Sequence, residues 1–568
     1  MIPYGVSSFE EIIKENMYYV DKTKYIPMLE QQPKNLFFIR PRRFGKSLFI
    51  NMLIAYYDVE QNDRFNELFG DLWIGSHPTP NQGRFQVMTL DFSRVTGDIE
   101  HIEEKFDEYL SMMMTEFAQK YEKYYYPGFA ADVDNGRRSG DGMINFINEK
   151  AQKHGCPIYL IIDEYDNFTN IILNEKGESV YHAITHASGF YRDLFKKFKG
   201  MCNRIFLTGV SPVTLDDLTS GFNIGWHLST NPKFNAMLGF TQDDVRTMFR
   251  YYQEVGWLEG DIEEMIGEMK PWYDNYCFAK TLIGKEHVFN SDMVLYYLSR
   301  RVDTGQSPEE MIDPNTRTDY NKMKKLIQLD KLDGDRKGVL RHITEEGQIT
   351  APLFESFPAS EIVKPDIFPS LLFYYGMLTL KGTRGKSMIL GIPNNNVRKQ
   401  YYEYALEDFQ QEKELRLGQL DNYYYDMAFD GHWQEALDYI ARSYTEHSSV
   451  RSAIEGERNI QGYFTAYLSI NAYYLTHPEV EVNHGFMDMF LMPDHIRYPE
   501  VAHSYILELK YLPAKDFESK AEAQWQEAVT QIHGYAEGER VKALCRGTQM
   551  HRIVMQFAGW ELKRMEEV

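Results

Sequence analysis

The stretch from Leu36 to Asn51, LFFIRPRRFGKSLFIN, constrains the fold more than any other part of this chain of 568 residues. Its first four residues are apolar and predict a buried strand, the loop that follows is rich in Arg and Gly, and a helical pattern begins at Ser47. A strand, a loop and a helix around Gly45, Lys46 and Ser47 are the setting in which backbone N–H groups bind phosphate. Lys46 would reach the β- and γ-phosphates of a nucleotide, and the Ser47 hydroxyl would be a Mg²⁺ ligand.

One position departs from the usual loop pattern GxxxxGK[ST]. The first Gly of that pattern falls at position 40, where this chain has Arg40, so the loop is expected to open differently or to carry a side chain there. The residues predicted to contact the nucleotide are Arg40, Pro41, Arg42, Arg43, Phe44, Gly45, Lys46, Ser47 and Leu48.

A second apolar run, Ile158 to Ile162, is followed at once by Asp163 and Glu164. A continuous apolar run rich in β-branched residues predicts a strand buried on both faces, which delivers the two carboxylates at its end. Asp163 would hold Mg²⁺ through water and Glu164 would polarise the attacking water. Thr208, at the end of a later strand, is a candidate sensor of the γ-phosphate, with a helix cap or turn residue as the alternative. These residues predict ATP and Mg²⁺ as ligands.

A second chemical centre is predicted near the C-terminus, where one apolar run contains Asp488 and the next contains Glu508 and Lys510. Because strand side chains alternate, Glu508 and Lys510 share one face. Asp488 and Glu508 would ligate Mg²⁺, and Lys510 would position or activate water for attack on a phosphodiester. Glu457 and Gln531, both on predicted helices, are further candidates for this site. An exposed salt bridge is the alternative for the Glu-x-Lys pair alone, but the whole constellation is typical of PD-(D/E)XK nucleases.

The alternation of strands and helices predicts an α/β protein in three parts. Residues 1–278 would form a P-loop NTPase domain, a parallel sheet with flanking helices. Residues 279–400 would form a mostly helical, winged-helix-like region, because an apolar helix precedes a Gly-containing turn and a strand. Residues 401–568 would form a restriction-endonuclease-like α/β domain.

Charge and composition exclude several classes of protein. A formal net charge of −22 argues against a general basic surface for nucleic acid, although a local basic channel remains compatible with it. The four cysteines are isolated in the sequence, which argues against zinc sites and disulfides. No apolar run approaches the roughly 18 residues of a membrane span, and the N-terminus lacks a signal region. We therefore expect a cytoplasmic protein with no membrane partner.

Several motifs together resemble one bacterial family, the AAA-ATPase-like proteins that carry a C-terminal PD-(D/E)XK nuclease-type domain. The resemblance covers nearly the whole chain. Its motifs are YVDKT at 19–23, RPRRFGKS at 40–47, LDFS at 90–93, IIDEYD at 161–166, FLTGVSP at 206–212, LGFT at 238–241 and WYDNYCF at 272–278. The resemblance implies that Arg40 is compatible with nucleotide binding, because that family typically has Arg there as well. Asn275 stands where the family more often has Gly.

The combined prediction is an ATPase fused to a Mg²⁺-dependent nuclease that acts on nucleic acid, DNA in preference to RNA. Nucleotide state would control access to Asp488 and Glu508. One alternative is a signalling ATPase, a nucleotide switch whose nuclease-like domain is inactive and only binds. Another is a DNA-remodelling motor, which the acidic charge balance disfavours. A homo-oligomer is also considered, with Arg42, Arg43 and Arg192 as candidates for an arginine finger.

Overall fold

The computed structural model of the chain describes residues 1–95, 101–134, 139–167, 194–214, 225–308, 310–313, 336–358, 361–362, 364–410, 417–447, 457–482, 485–545 and 547–568. Within it the chain divides into two compact units. The first comprises Met1–Arg336 and Thr350–Asn394, and the second comprises Lys337–Ile349 and Asn395–Val568. Most of the predicted middle region thus clusters with the first unit.

Helices and strands alternate along much of the chain. The described α-helices are α1 (Phe9–Lys14), α2 (Tyr25–Glu30), α3 (Lys46–Tyr57), α4 (Phe65–Phe69), α5 (Ile102–Tyr121), α6 (Phe129–Val133), α7 (Gly140–His154), α8 (Gln242–Glu254), α9 (Ile262–Tyr273), α10 (Ser291–Thr304), α11 (Arg336–Glu346), α12 (Phe368–Tyr374), α13 (Asn395–Gln410), α14 (Leu417–Phe429), α15 (Gln434–His447), α16 (Glu457–Leu468), α17 (Ala514–Ala536) and α18 (Glu539–Leu544). The strands are β1 (Asn35–Ile39), β2 (Gln86–Asp91), β3 (Ile158–Asp163), β4 (Arg204–Gly209), β5 (Val213–Thr214), β6 (Gly225–His227), β7 (Gln348–Ala351), β8 (Phe357–Pro358), β9 (Thr379–Arg384), β10 (Ser387–Gly391), β11 (Tyr474–Val482), β12 (Gly485–Pro493), β13 (His503–Leu512), β14 (Gln549–Ala558) and β15 (Glu561–Glu567).

The first unit is built on a five-stranded parallel sheet in the order β2-β3-β4-β1-β6. Its central strands are apolar and buried along nearly their whole length, as expected for a parallel sheet with both faces covered. The strand before the phosphate loop, β1, is separated by β4 alone from β3, which ends in Asp163. The carboxyl ends of these strands therefore bring the loop and the two acids to one edge of the sheet, where α/β proteins bind ligands. The predicted α/β architecture is confirmed.

Three further helices of the first unit, α8, α9 and α10, share one apolar core. α8 begins with a capping box, in which Thr241 and Asp244 exchange side-chain to backbone hydrogen bonds. Asp21, which precedes α2 by four residues, does not cap that helix. Its carboxylate accepts hydrogen bonds from Thr23 and from the backbone N–H of Trp73 instead, so it joins two loops.

The helix and hairpin predicted after residue 365 are present in the first unit. α12 is almost wholly buried and is followed by the antiparallel strands β9 and β10. Gly376, between the helix and the hairpin, has a φ of 78°, and a Cβ built on it would lie 2.8 Å from the ring of Pro41. This close approach brings the segment against the phosphate loop, and only glycine provides both the conformation and the space.

The second unit contains a five-stranded sheet in the order β11-β12-β13-β14-β15. β11, β12 and β13 form an antiparallel meander, and α17 crosses over so that β14 pairs with β13 in parallel. One face of the sheet packs against α14, α15 and α16, and the other packs against α17 and α18. From α16 onward, the second unit therefore has the order helix, three strands, two helices and two strands. No helix of the described residues is long and apolar enough to cross a membrane.

Candidate functional site

The phosphate loop between β1 and α3 contains two residues with a left-handed backbone conformation. Gly45 has a φ of 89° and Arg43 a φ of 66°. Gly45 tolerates this conformation because it has no Cβ, and the loop then leads directly into α3. The backbone N–H groups at the start of a helix form a ready site for an anion, since the helix dipole adds a partial positive charge.

Lys46 is the first residue of α3 and is largely buried. Its ammonium group donates hydrogen bonds to the carbonyl oxygens of Arg40 and Pro41, both at 3.0 Å. The lysine is therefore held inside the loop that would surround the phosphates. An ammonium group in this position supplies a point charge for phosphate binding.

The two predicted Mg²⁺ ligands of the first unit are in contact. The Ser47 hydroxyl donates to a carboxylate oxygen of Asp163 at 3.0 Å. Burial, together with the neighbouring carboxylates of Glu164 and Asp91, raises the pKa of Asp163 to about 6. A hydroxyl beside a carboxylate that lacks a full counter-charge is a donor set that suits a hard divalent cation. Glu164 has a φ of 49°, and such backbone strain clusters at functional sites.

A cavity of about 580 Å³ opens over the loop and over the ends of β2 and β3, which is within the size range of small-molecule sites. Its polar part contains most of the predicted nucleotide residues, and its apolar part would suit a nucleotide base. The predicted residues that line it are Arg42, Arg43, Phe44, Gly45, Lys46, Ser47, Leu48, Asp163 and Glu164. The apolar part is lined by Tyr18, Val20, Met237, Phe240, Met248 and Leu295.

Arg40 has a different position from the other loop residues. Its side chain is 1% exposed. The guanidinium donates to the carbonyl oxygens of Ser229 and Phe234 at 2.7 and 3.0 Å and lies 4.0 Å from the ring centre of Phe278. Arg40 thus joins the loop to the segment after β6 and does not line the cavity. The position where other loops have Gly is here a packing position.

Thr208 also points away from the cavity in this structure. It is buried near the end of β4, and its hydroxyl donates to the carbonyl oxygen of Phe38 in β1 at 2.7 Å. The hydroxyl predicted to sense the γ-phosphate therefore bonds the neighbouring strand. Arg192 lies outside the described residues.

The candidate centre of the second unit lies where β12 and β13 pair. One carboxylate oxygen of Asp488 accepts the backbone N–H of Leu509 at 2.7 Å, and the other accepts the side-chain amide of Gln461 at 2.7 Å. Glu508 is 1% exposed, and the Lys510 ammonium lies 2.7 Å from it. The expected common face of Glu508 and Lys510 is thus present, with Asp488 beside it.

Two further predicted residues lie on helices around this centre. Gln531 is in α17, one helical turn before Tyr535, and its side-chain oxygen is buried. Burial raises the pKa of the Tyr535 hydroxyl, and the negative charge of nearby Glu508 raises it further. Tyr535 is therefore close to the carboxylates. Glu457 is the first residue of α16, and its side chain lies outside the described part of the structure.

The donor set of the second centre fits Mg²⁺. Within the described residues no group of three or more His, Cys, Asp and Glu side chains is arranged to hold a metal ion. Mg²⁺, however, is usually bound by one or two carboxylates and completes its shell with water and substrate oxygens. Asp488 and Glu508 supply two largely buried carboxylates, and Lys510 offsets part of their charge.

Several residues of the two sites were missed in the sequence. Asp91 lies in register with Asp163 and lines the cavity, and its place at a strand end is a signal that could have identified it. Tyr535 follows Gln531 by four residues, which is one helical turn. Asp292 lines the same cavity, and nothing in its local sequence indicates this because it meets the loop from 249 residues away.

Family comparisons agree with the resemblance drawn from the motifs. Residues 3–219 match the model described as a predicted AAA-ATPase, and residues 455–567 match the model of the PD-(D/E)XK nuclease superfamily. The resemblance is thereby confirmed for both ends of the chain.

Individual relatives are distant. An uncharacterized protein in the vnfD 5′ region of Azotobacter chroococcum mcd 1 is 26% identical over 316 residues, which is 53% of this chain and 52% of the relative. The chain thus spans about half the length of that relative. Cdc6p from Pyrobaculum aerophilum is 12% identical, covers 71% of this chain and 96% of its own, and has a TM-score of 0.24. The Orc1 protein from Aeropyrum pernix, solved in complex with DNA, is 10% identical, covers 71% and 94%, and has a TM-score of 0.25.

Proposed function

We propose that this chain, with a predicted AAA-ATPase domain at residues 3–219 and a PD-(D/E)XK nuclease superfamily domain at residues 455–567, binds and hydrolyses ATP and cleaves nucleic acid, DNA in preference to RNA. The observation that supports the first activity is the contact between Ser47 and Asp163 beneath the phosphate loop. The observation that supports the second is the assembly of Asp488, Glu508 and Lys510 on paired strands.

In the first site each residue has a distinct task. The loop amides and Lys46 would hold the phosphates. Ser47 and Asp163 would hold Mg²⁺, and Glu164 would orient water for attack on the γ-phosphate. A bound Mg²⁺ supplies charge stabilisation on the phosphoryl oxygens. The apolar part of the cavity, with Tyr18 and Phe240, would exclude water from the base.

In the second site Asp488 and Glu508 would hold a divalent cation, which when bound stabilises charge on the scissile phosphate. Gln461 and the Leu509 N–H fix the orientation of Asp488, because each holds one of its oxygens. Lys510 would then position the water that attacks the phosphodiester. We also propose that nucleotide state controls this cleavage.

The decisive experiment measures cleavage of labelled single- and double-stranded DNA and RNA with Mg²⁺ or Mn²⁺, with and without ATP. Asp488→Ala is expected to abolish cleavage and to leave ATP hydrolysis intact. Lys46→Ala is expected to lower the rate of ATP hydrolysis at least about a hundredfold. Matched controls are Asp421→Ala and Lys105→Ala, which change exposed residues that belong to neither site.

Each outcome separates the alternatives. If Lys46→Ala also changes cleavage, nucleotide state controls the second site, and an unchanged cleavage rate at saturating ATP would refute that control alone. If no cleavage occurs under any condition while ATP is hydrolysed, the C-terminal domain is a binding module of a nucleotide switch. Cleavage that persists in Asp488→Ala would contradict the assignment of the second site.

A further inference from the structure

Arg43 lies in the phosphate loop with a left-handed backbone, which a residue with a side chain seldom adopts. Two groups at the start of α10 donate hydrogen bonds to its carbonyl oxygen. They are the Ser291 hydroxyl at 3.1 Å and the backbone N–H of Asp292 at 3.2 Å. Hydrogen bonds from α10 thus hold the main chain of the loop at Arg43, where the backbone is strained.

The side chain of Arg43 extends the same connection. Its guanidinium lies 2.6 Å from the carboxylate of Asp292 and 3.7 Å from that of Asp313. Asp313 is buried and also accepts the hydroxyl of Tyr4 at 2.6 Å. One arginine therefore links the phosphate loop, α10 and the segments around Tyr4 and Asp313. The side chains of Arg43 and Asp292 are 25% and 19% exposed, so solvent screens their ion pair less than a surface pair.

Charge gives this ion pair a role in ligand binding. Four carboxylates, those of Asp91, Asp163, Glu164 and Asp292, line the cavity. A triphosphate brought into it would be repelled by any of them that lacks a counter-charge. Mg²⁺ would offset the carboxylates at the end of β3, whereas Asp292 already has Arg43. The arginine thus neutralises an acid beside the phosphates.

We propose that Arg43 is a positioning residue rather than a phosphate ligand. Its ion pair with Asp292 holds α10 against the loop, keeps the loop in its anion-binding shape and shields the phosphates from Asp292. This inference rests on the proposed binding of ATP. It makes the affinity for ATP depend on the docking of α10 on the loop.

The test is a double-mutant cycle on the intact chain with Arg43→Gln, Asp292→Asn and the double variant. Isothermal titration with ATP and Mg²⁺ is expected to show that Arg43→Gln raises the dissociation constant about tenfold, the effect of losing one charge-assisted hydrogen bond. Asp292→Asn is expected to raise it by a smaller factor, because that change also removes the carboxylate that would repel the phosphates. Because both changes break one pair, the double variant is expected to resemble Asp292→Asn rather than to show the product of both single effects. Arg43→Lys keeps the charge but loses the fork geometry, so it is expected to fall between wild type and Arg43→Gln.

The matched control is Glu67→Gln, which breaks an exposed ion pair with Arg64 and is expected to leave the dissociation constant unchanged. A purely structural pair would change thermal stability without changing ATP affinity. Wild-type affinity in Asp292→Asn, or effects that multiply in the double variant, would overturn the inference while leaving ATP binding established. A wild-type chain that does not bind ATP would overturn the proposed function and, with it, this inference.

Discussion

At the scale of single residues, Arg40 is expected to stabilise the fold around the phosphate loop. It is a fully buried cation with carbonyl oxygens and aromatic rings as partners. Arg40→Ala is expected to lower the free energy of unfolding by about 3 kcal/mol, because buried carbonyl groups lose a charged donor. Urea denaturation measures this change. Arg84→Ala, at an exposed arginine, is the control and should change stability by less than about 0.5 kcal/mol. A loss of ATP affinity without a loss of stability would instead make Arg40 a phosphate ligand.

Arg40 also shows how far the sequence could predict single residues. The motif places it in the loop, but its partners follow β6 and lie nearly 200 positions away, and local sequence does not reveal such contacts. Asn275 shows the opposite case. It has a φ of 76°, and Asn tolerates this left-handed conformation better than other residues with side chains, so the turn is kept without Gly.

At the scale of elements, a chain of polar contacts joins the last strands of the second unit. The ring of His503 in β13 is hydrogen bonded to that of His551 in β14 at 2.8 Å, and His551 is hydrogen bonded to Glu567 in β15 at 2.8 Å. Burial lowers the pKa of His503 below its ordinary value of 6.5, and His551 and His432 lower it further while Asp430 opposes them.

This contact chain predicts a stability that depends on pH. Below pH 6.5 the unfolded chain binds a proton at His503 more readily than the folded chain does, so stability is expected to fall as pH falls from 7 towards 5. His503→Gln should flatten this dependence, and His342→Gln, at an exposed histidine, should not. Denaturation in urea at several pH values, followed by circular dichroism, measures the effect. Equal slopes in both variants would contradict it.

Element types were more predictable than their contacts. The apolar runs of β1, β3 and β4 are strong signals because strands of a parallel sheet are buried on both faces. The faces of α16 and α17 that meet the second centre were harder to predict. Gln461 and Tyr535 lie near the carboxylates only because β12 pairs with β13, and helical periodicity does not predict that pairing.

At the scale of the whole molecule, the strand order β2-β3-β4-β1-β6 explains why residues far apart in sequence share one cavity. The sequence indicates which strands carry the loop and the acids, but order depends on pairing between distant segments. That pairing is specified by many weak contacts rather than by a motif. Chain length and the two sets of site residues indicate separate cores, whereas the bounds of the two units depend on contacts between distant segments.

These separate cores lead to a prediction for the intact chain. ATP with Mg²⁺ binds only the folded first unit in our proposal, so it should stabilise that unit by about 2.7 kcal/mol when its concentration is a hundred times the dissociation constant. Differential scanning calorimetry should show a transition that ATP shifts upward. Lys46→Ala should abolish the shift because the phosphates lose their lysine, while Asp488→Ala should keep it because that residue belongs to the other unit. A shift that survives in Lys46→Ala would place the bound nucleotide outside the cavity over the phosphate loop.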